Sequence, residues 1–150
     1  MSNQSHEASL IYAVGRVHQF VRREMGARLA PWQLTVQEYT ALSVLRARPG
    51  LSNAQLARRS LVAPQSMLEI LAKLERRQLV ARTVDPGHGR ILRTTPTEAG
   101  LALLTSADPA VAAIQDEVLA GVPSAQRAVL ESAMRAAMAH VSATPGDGDG

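Results

Sequence analysis

Apolar positions recur at helical spacing over most of the chain, and that spacing gives way to a different period only once. Leu10, Val14, Val17, Val21, Met25 and Leu29 form one stripe across residues 8–29, with Arg16, Arg22, Arg23 and Arg28 on other faces. Pro31-Trp32 ends this first amphipathic helix. Thr35-Val-Gln-Glu38 is a capping box, in which hydroxyl and carboxylate each satisfy an amide of the first turn, and it opens a second helix to about Ala47. Val36, Tyr39, Leu42 and Leu45 make its apolar face, and Pro49-Gly50 closes it. A second capping box, Ser52-Asn-Ala-Gln55, starts a short helix over about Asn53–Ser60. After a turn at Ser60–Ala63, Pro64 occupies the first position of a helix to about Arg77, where its missing N–H costs nothing. Met67, Ile70, Leu71 and Leu74 give that helix a core face; Gln65, Ser66, Glu69, Lys73 and Arg76 make the opposite stripe.

The period then changes. Two β-prone runs, Leu79–Val84 and Ile91–Thr95, flank the Pro/Gly-rich tip Asp85–Arg90, which predicts a hairpin. Thr95-Pro-Thr-Glu98 returns the chain to helix, with either Thr95 or Thr97 as the cap. Leu101, Leu104, Val111, Ile114 and Val118 keep one apolar stripe past Asp108-Pro109, which favours a single kinked helix over a second helix capped by Asp108. Gly121–Ser124 is a turn, and a last helix carries Val129, Leu130, Met134, Ala137, Met138 and Val141. The polar ends, residues 1–7 and 143–150, are expected to be disordered.

The expected fold is therefore mainly α with one small β-hairpin. Its 150 residues suit a single domain with its own core. Cysteine is absent, so disulfides, cysteine metal sites and thiol redox sensing lie outside this chain's chemistry. The four histidines, His6, His18, His88 and His140, include no pair at metal-ligand spacing on one helix face. There is no nucleophile–base pair, Gly-rich phosphate loop or convergent carboxylate pair, so neither an enzyme nor a cofactor or metal is expected. With no apolar run of membrane-spanning length and no signal peptide, the expected location is the cytoplasm.

Charge sharpens the picture. Between Arg46 and Arg93 stand ten Lys/Arg against three acids, a surplus of seven in a chain whose net charge is +3. A basic middle within an acidic remainder is the electrostatic footprint of a duplex DNA binder. Two short helices joined by a turn occur in many α proteins. Followed directly by a hairpin with arginines at positions 82, 90 and 93, they read as a helix-turn-helix with a wing. The first turn of the second helix meets base edges in such a motif, and Gln65 and Ser66 stand there. Glutamine pairs bidentately with adenine, and serine pairs with several bases.

Several short pieces, in order, resemble the MarR family of winged-helix transcription regulators: Leu34–Leu42, Pro49–Ser52, Gln55–Ala57, Leu74-Glu75, Leu79–Arg82 and Thr97–Gly100. The resemblance runs from about residue 8 to 141. It implies a winged helix-turn-helix lobe at 35–96, and a helical dimerisation lobe at 8–30 and 97–141. The implied function is sequence-specific binding of double-stranded DNA by a homodimeric repressor on a palindromic operator, with activation as the lesser alternative. The implied DNA-binding residues are Ser52, Asn53, Pro64, Gln65, Ser66, Lys73, Arg76, His88 and Arg90, the last as the wing arginine. Many relatives bind small aromatic or phenolic acids. Arg16, His18, Trp32 and Tyr39 are the candidates for such an effector cleft, although an aromatic pair in the core is the simpler reading of Trp32 and Tyr39.

Three positions depart from the family pattern. His88 stands where an aspartate usually steadies the wing arginine, and Asp85 replaces it only if the loop folds back. Gln78 stands where glycine usually caps the recognition helix, so that helix is expected to end without a left-handed residue. Glu69 lies on the DNA-facing stripe, either paired with Lys73 or accepting from a cytosine amino group. Glu69 and His88 are also what an interaction protein or anti-repressor, keeping the fold without DNA binding, would rest on.

Overall fold

A computed structural model describes residues 9–143. The chain order is α1 (Leu10–Leu29), a 3-10 turn (Ala30–Trp32), α2 (Val36–Ala47), α3 (Asn53–Ser60), α4 (Pro64–Arg76), β1 (Val80–Asp85), β2 (His88–Pro96), α5 (Glu98–Leu119) and α6 (Ser124–Ala143). Among the described residues this is the mainly helical fold with a single antiparallel hairpin that the spacing predicts. The expected disorder at 1–7 and beyond Ala143 lies outside the described residues; Ala143 itself ends α6. Two compact units divide the chain, one running to Ile114 and one from Gln115.

Local chemistry sets the helix boundaries. Ser9 caps α1, its hydroxyl accepting from the Tyr12 amide at 3.1 Å. Both predicted capping boxes close: Thr35 with Glu38 on α2, and Ser52 with Gln55 on α3. The α5 cap is Thr97, while Thr95 is in β2. Thr97 Oγ1 accepts from the Gly100 amide at 3.1 Å and donates to the Gln78 carbonyl at 2.7 Å, so one hydroxyl joins two helix ends. Gly100 is required at this junction, because a Cβ there would lie 2.2 Å from the Leu79 carbonyl oxygen. Pro109 sits inside α5, which runs on through it, and Asp108 is not a cap.

In the first unit, Leu42 and Leu45 of α2, Leu56 of α3 and Met67, Leu71 and Leu74 of α4 meet Leu29, Leu79, Val80 and Leu104 in one core. That core holds α4 so that the stripe opposite Met67 and Leu74 faces outward. A second attachment lies behind it. Tyr39 donates to Asp108 Oδ1 at 2.7 Å, and Arg46 makes a fork to both carboxylate oxygens at 2.6 and 3.3 Å, tying α2 to α5. Arg46 first, and the Tyr39 hydroxyl after it, hold the Asp108 carboxyl below the ordinary carboxylate range; burial and this contact push the Tyr39 phenol up.

The expectation at Gln78 is corrected. Gln78 is left-handed at φ 58°, and the amides of Gln78 and Leu79 bond the carbonyls of Glu75 and Leu74. Core packing of Leu79, 6% exposed, requires the reversal whether or not glycine is present. Leu61, in the turn before α4, is likewise left-handed at φ 57° and lies 92% exposed.

Each unit also leaves apolar residues bare. In the first, α1 exposes Leu10, Ile11, Val14 and Val17; in the second, α6 exposes Val129, Met134, Met138 and Val141. Among the described residues no helix is long and apolar enough to cross a membrane.

Candidate nucleic-acid interface

The α4 surface is open. Pro64, Gln65, Ser66, Lys73 and Arg76 are all exposed, with no hydrogen bond or ion pair to them through side chains among the described residues. Ala63 stands at the N-cap and offers no capping oxygen, so the amides of the first turn are left for an incoming acceptor. Positioning comes from behind. The Asn53 side-chain amide donates to the Pro64 carbonyl at 3.0 Å, and fixes where α4 begins relative to α3. Arg77 donates to the carbonyls of Gln33 and Trp32 at 2.7 and 3.0 Å, and fixes where it ends. The Ser52 hydroxyl accepts from the Gln55 amide at 3.3 Å and keeps its own proton to donate.

The hairpin differs from a simple loop between strands. Its turn contracts to Pro86-Gly87, and His88 already belongs to β2. Val84 pairs with Leu92 and Asp85 with His88, so Gly89, Arg90 and Ile91 have no partners on β1. This bulge throws Arg90 out of the ladder, exposed and without an ion-pair partner among the described residues. His88 is exposed beside it. Asp85 does fold back, but toward a different arginine. Its carboxylate accepts from the Gly87 amide at 2.8 Å and from Arg93 Nε at 2.7 Å. These contacts, the Gly87 amide foremost, hold it below the ordinary carboxylate range.

Between wing and helices lies a cavity of about 390 Å³ that brings Ser52, Asn53 and Arg90 together, with Arg82 and Thr94 also polar and Leu68, Leu71, Ile91 and Leu92 apolar. Gln65, Ser66, Lys73, Arg76 and His88 lie outside its lining. The basic surplus is also divided by the fold. Arg46, Arg82 and Arg93 pair with Asp108, Glu75 and Asp85, and Arg77 is held by carbonyls. Arg48, Arg58, Arg59, Lys73, Arg76 and Arg90 remain exposed and unpaired among the described residues. Of these, Arg48, Arg58 and Arg59 are not among the residues singled out from sequence; their only signal there is bulk charge. Glu69 is exposed without an ion pair to Lys73 among the described residues, which removes the first of its two alternatives.

The effector candidates are scattered by environment. Arg16 and His18 are exposed on α1, Trp32 packs in part against the core, and Tyr39 is buried with its hydroxyl committed to Asp108.

A two-helix reading unit with an open polar first turn, a basic rim and an arginine-bearing wing defines a winged helix-turn-helix regulator. The model described as MarR family matches residues 32–91, and with the relatives below it places this chain in the MarR family of DNA-binding transcription regulators. The chain is 40% identical over 121 residues to the HTH-type transcriptional repressor Rv2887 of Mycobacterium tuberculosis, covering 81% of this chain and 87% of that one. The crystal structure of Rv2887 in complex with DNA superposes with a TM-score of 0.72 at 36% identity, over 85% of this chain and 96% of that chain. Its complex with salicylic acid gives 0.71 at 38% identity, over 85% and 95%.

Proposed function

We propose that this regulator works as a homodimeric repressor that sets two copies of α4 into successive major grooves of a palindromic operator, with each wing reaching the flanking minor groove. The observation that carries this reading is the open α4 first turn, Gln65 and Ser66, flanked by unpaired cations and by the bulge that presents Arg90. Gln65 and Ser66 read base edges. Ser52, the Asn53 amide, Lys73, Arg76, His88 and Arg90 hold the backbone, because unpaired cations and free donors at a groove rim bind phosphate regardless of sequence. Pro64, which has no N–H to donate, meets the duplex by van der Waals contact alone. Residues 35–96 are the reading lobe in this account. Residues 8–30 and 97–141 supply the dimerisation lobe, and the bare apolar positions of α1 and of α6 are covered by the second copy. The cytoplasm is the compartment in which such a protein meets its DNA.

A small aromatic acid is the proposed releasing ligand. Its support is the salicylic acid complex of Rv2887. Of the four candidate residues, Arg16 and His18 are exposed on α1 and Trp32 is partly so, while Tyr39 is buried on Asp108 and is no longer a ligand contact in this reading. Release follows if the ligand favours a head spacing that the operator does not fit, and it can shift the equilibrium only by its differential affinity for the two states.

The test is fluorescence anisotropy on labelled duplex DNA across a salt series. Binding falls steeply with salt, and Arg90→Ala weakens it on every sequence while flattening the log–log slope by about 1 per arginine removed. An unchanged slope removes Arg90 from the interface, and salt-independent binding removes the DNA-facing reading of the whole surface.

A further inference from the structure

The wing arginine lies in the least supported stretch of the hairpin. Gly89, Arg90 and Ile91 have no partners across the ladder, and glycines at 87 and 89 loosen the backbone on either side of His88. An exposed arginine on such a bulge would sample many directions, and fixing it on DNA would cost conformational entropy. The residue that usually steadies it is replaced by His88, as the sequence departure showed. Yet one charged chain of contacts crosses from the bulge to the reading unit. Asp85, where the strand register breaks, accepts from Arg93 Nε at 2.7 Å and lies 2.5 Å from its Nη2. The same guanidinium donates through Nη1 to Gln55 Oε1 at 3.1 Å. Gln55 Oε1 also accepts the Ser52 amide at 3.0 Å, within the capping box that starts α3.

We propose that Asp85 and Arg93 are positioning residues for DNA binding: their ion pair, anchored on Gln55 at the start of α3, clamps the bulge and aims Arg90 at the duplex. The clamp attaches where aim is decided. Nearer the root, the hairpin is already held by the Leu51–Thr94 bridge and by the Arg82–Glu75 pair, so Asp85–Arg93 is not needed to keep the strands together. The Asp85 side chain is 13% exposed and a third of Arg93 is open, so the pair sits against the protein surface and not in free solvent. The clamp rests on the reading of Arg90 as a DNA contact.

Asp85→Asn distinguishes the clamp from bulk charge by its sign. Removing a negative charge beside a DNA surface should by charge alone tighten binding. The clamp predicts the reverse: Asp85→Asn weakens operator binding by about the same factor as Arg90→Ala and flattens the salt slope by about 1 per wing, as loss of one phosphate contact does. Added to Arg90→Ala, it costs little more, because the two act through one group. Asp85→Glu, which keeps the charge, recovers part of the loss. Amide exchange should quicken at residues 85–92 in Asp85→Asn while α4 keeps its protection. Asp85→Asn binding as tightly as the parent or tighter, or losing its full factor again in the Arg90→Ala background, overturns the clamp while leaving Arg90 in place. An Arg90→Ala variant indistinguishable from the parent overturns the Arg90 reading and the clamp with it. If Asp85→Asn loses helical content, Arg93→Gln in the two backgrounds decides: additive losses refute the clamp, and a loss confined to the Arg90 parent supports it.

Discussion

At the scale of single residues, what separates a proposed DNA contact from a structural cation here is whether the fold has already supplied a partner. Arg77 and Arg82 carry the same charge as Arg76 and Arg90. The first two are spent on carbonyls and on Glu75, while the second two face solvent without a partner among the described residues. Gln65 is distinguished by place as well: on the first turn of α4, beside amides that no cap satisfies, it can present both halves of its amide to one base. Gln65→Ala should cost about 1–3 kcal/mol on the operator and little on random duplex, measured by parallel anisotropy titrations. Equal losses on both would make Gln65 a backbone contact. Glu69, on the same face and without an ion-pair partner among the described residues, belongs to the same comparison, since a carboxylate near DNA is repelled by phosphate unless a cytosine amino group meets it.

At the scale of elements, the junctions are where sequence and structure diverge. Core stripes and capping boxes were legible, because a 3–4 spacing and a hydroxyl three residues before a Glu or Gln act locally and need no tertiary information: Met67, Leu71 and Leu74 are buried, and the boxes at Thr35 and Ser52 both close. Gln78 was not legible. Its left-handed turn is imposed by burial of Leu79 and by the Thr97 bond to its carbonyl, neither of which a local reading contains. The bulge at Gly89–Ile91 and the partners of Asp85 and Asp108 were hidden for the same reason, being set by long-range register and packing. A non-glycine residue held left-handed costs about 1 kcal/mol. Gln78→Gly should therefore raise unfolding stability by about 1 kcal/mol, less the entropy that glycine adds to the unfolded chain, in urea titrations. A fall would mean that the Gln78 side chain contributes more than its backbone strain costs.

The attachment of α2 to α5 gives a pH prediction at the same scale. The Asp108 carboxyl is held below its ordinary value in the folded protein, so the unfolded chain binds its proton first as pH falls. The stabilisation is then complete above an unfolded value of about 3.9 and is lost as pH drops through the lower folded value. Asp108→Asn should lower stability at pH 7 by about 1 kcal/mol, a modest figure because both partners are over a third exposed. The difference between parent and variant should shrink toward zero in strong acid. A difference independent of pH would point to packing in place of the ion pair.

At the scale of the whole molecule, one reading head is a weak instrument. A few bidentate contacts worth about 1–3 kcal/mol each cannot by themselves select one site in a genome. Joining two heads turns the second encounter into an intramolecular one and multiplies the discrimination. In the proposed dimer the apolar residues left bare on α1 and on α6 would be the material for that joining, and the basic surplus concentrated between Arg46 and Arg93 would draw the pair onto DNA. A two-fold dimer reading with α4 also constrains its target. The site must be an inverted repeat, with half-site centres about one helical turn, roughly 10 base pairs, apart. Selection of bound duplexes from a random pool tests this most directly. The account predicts enrichment of an inverted repeat at that spacing; enrichment of a single unrepeated half-site, or of no sequence at all, would contradict it.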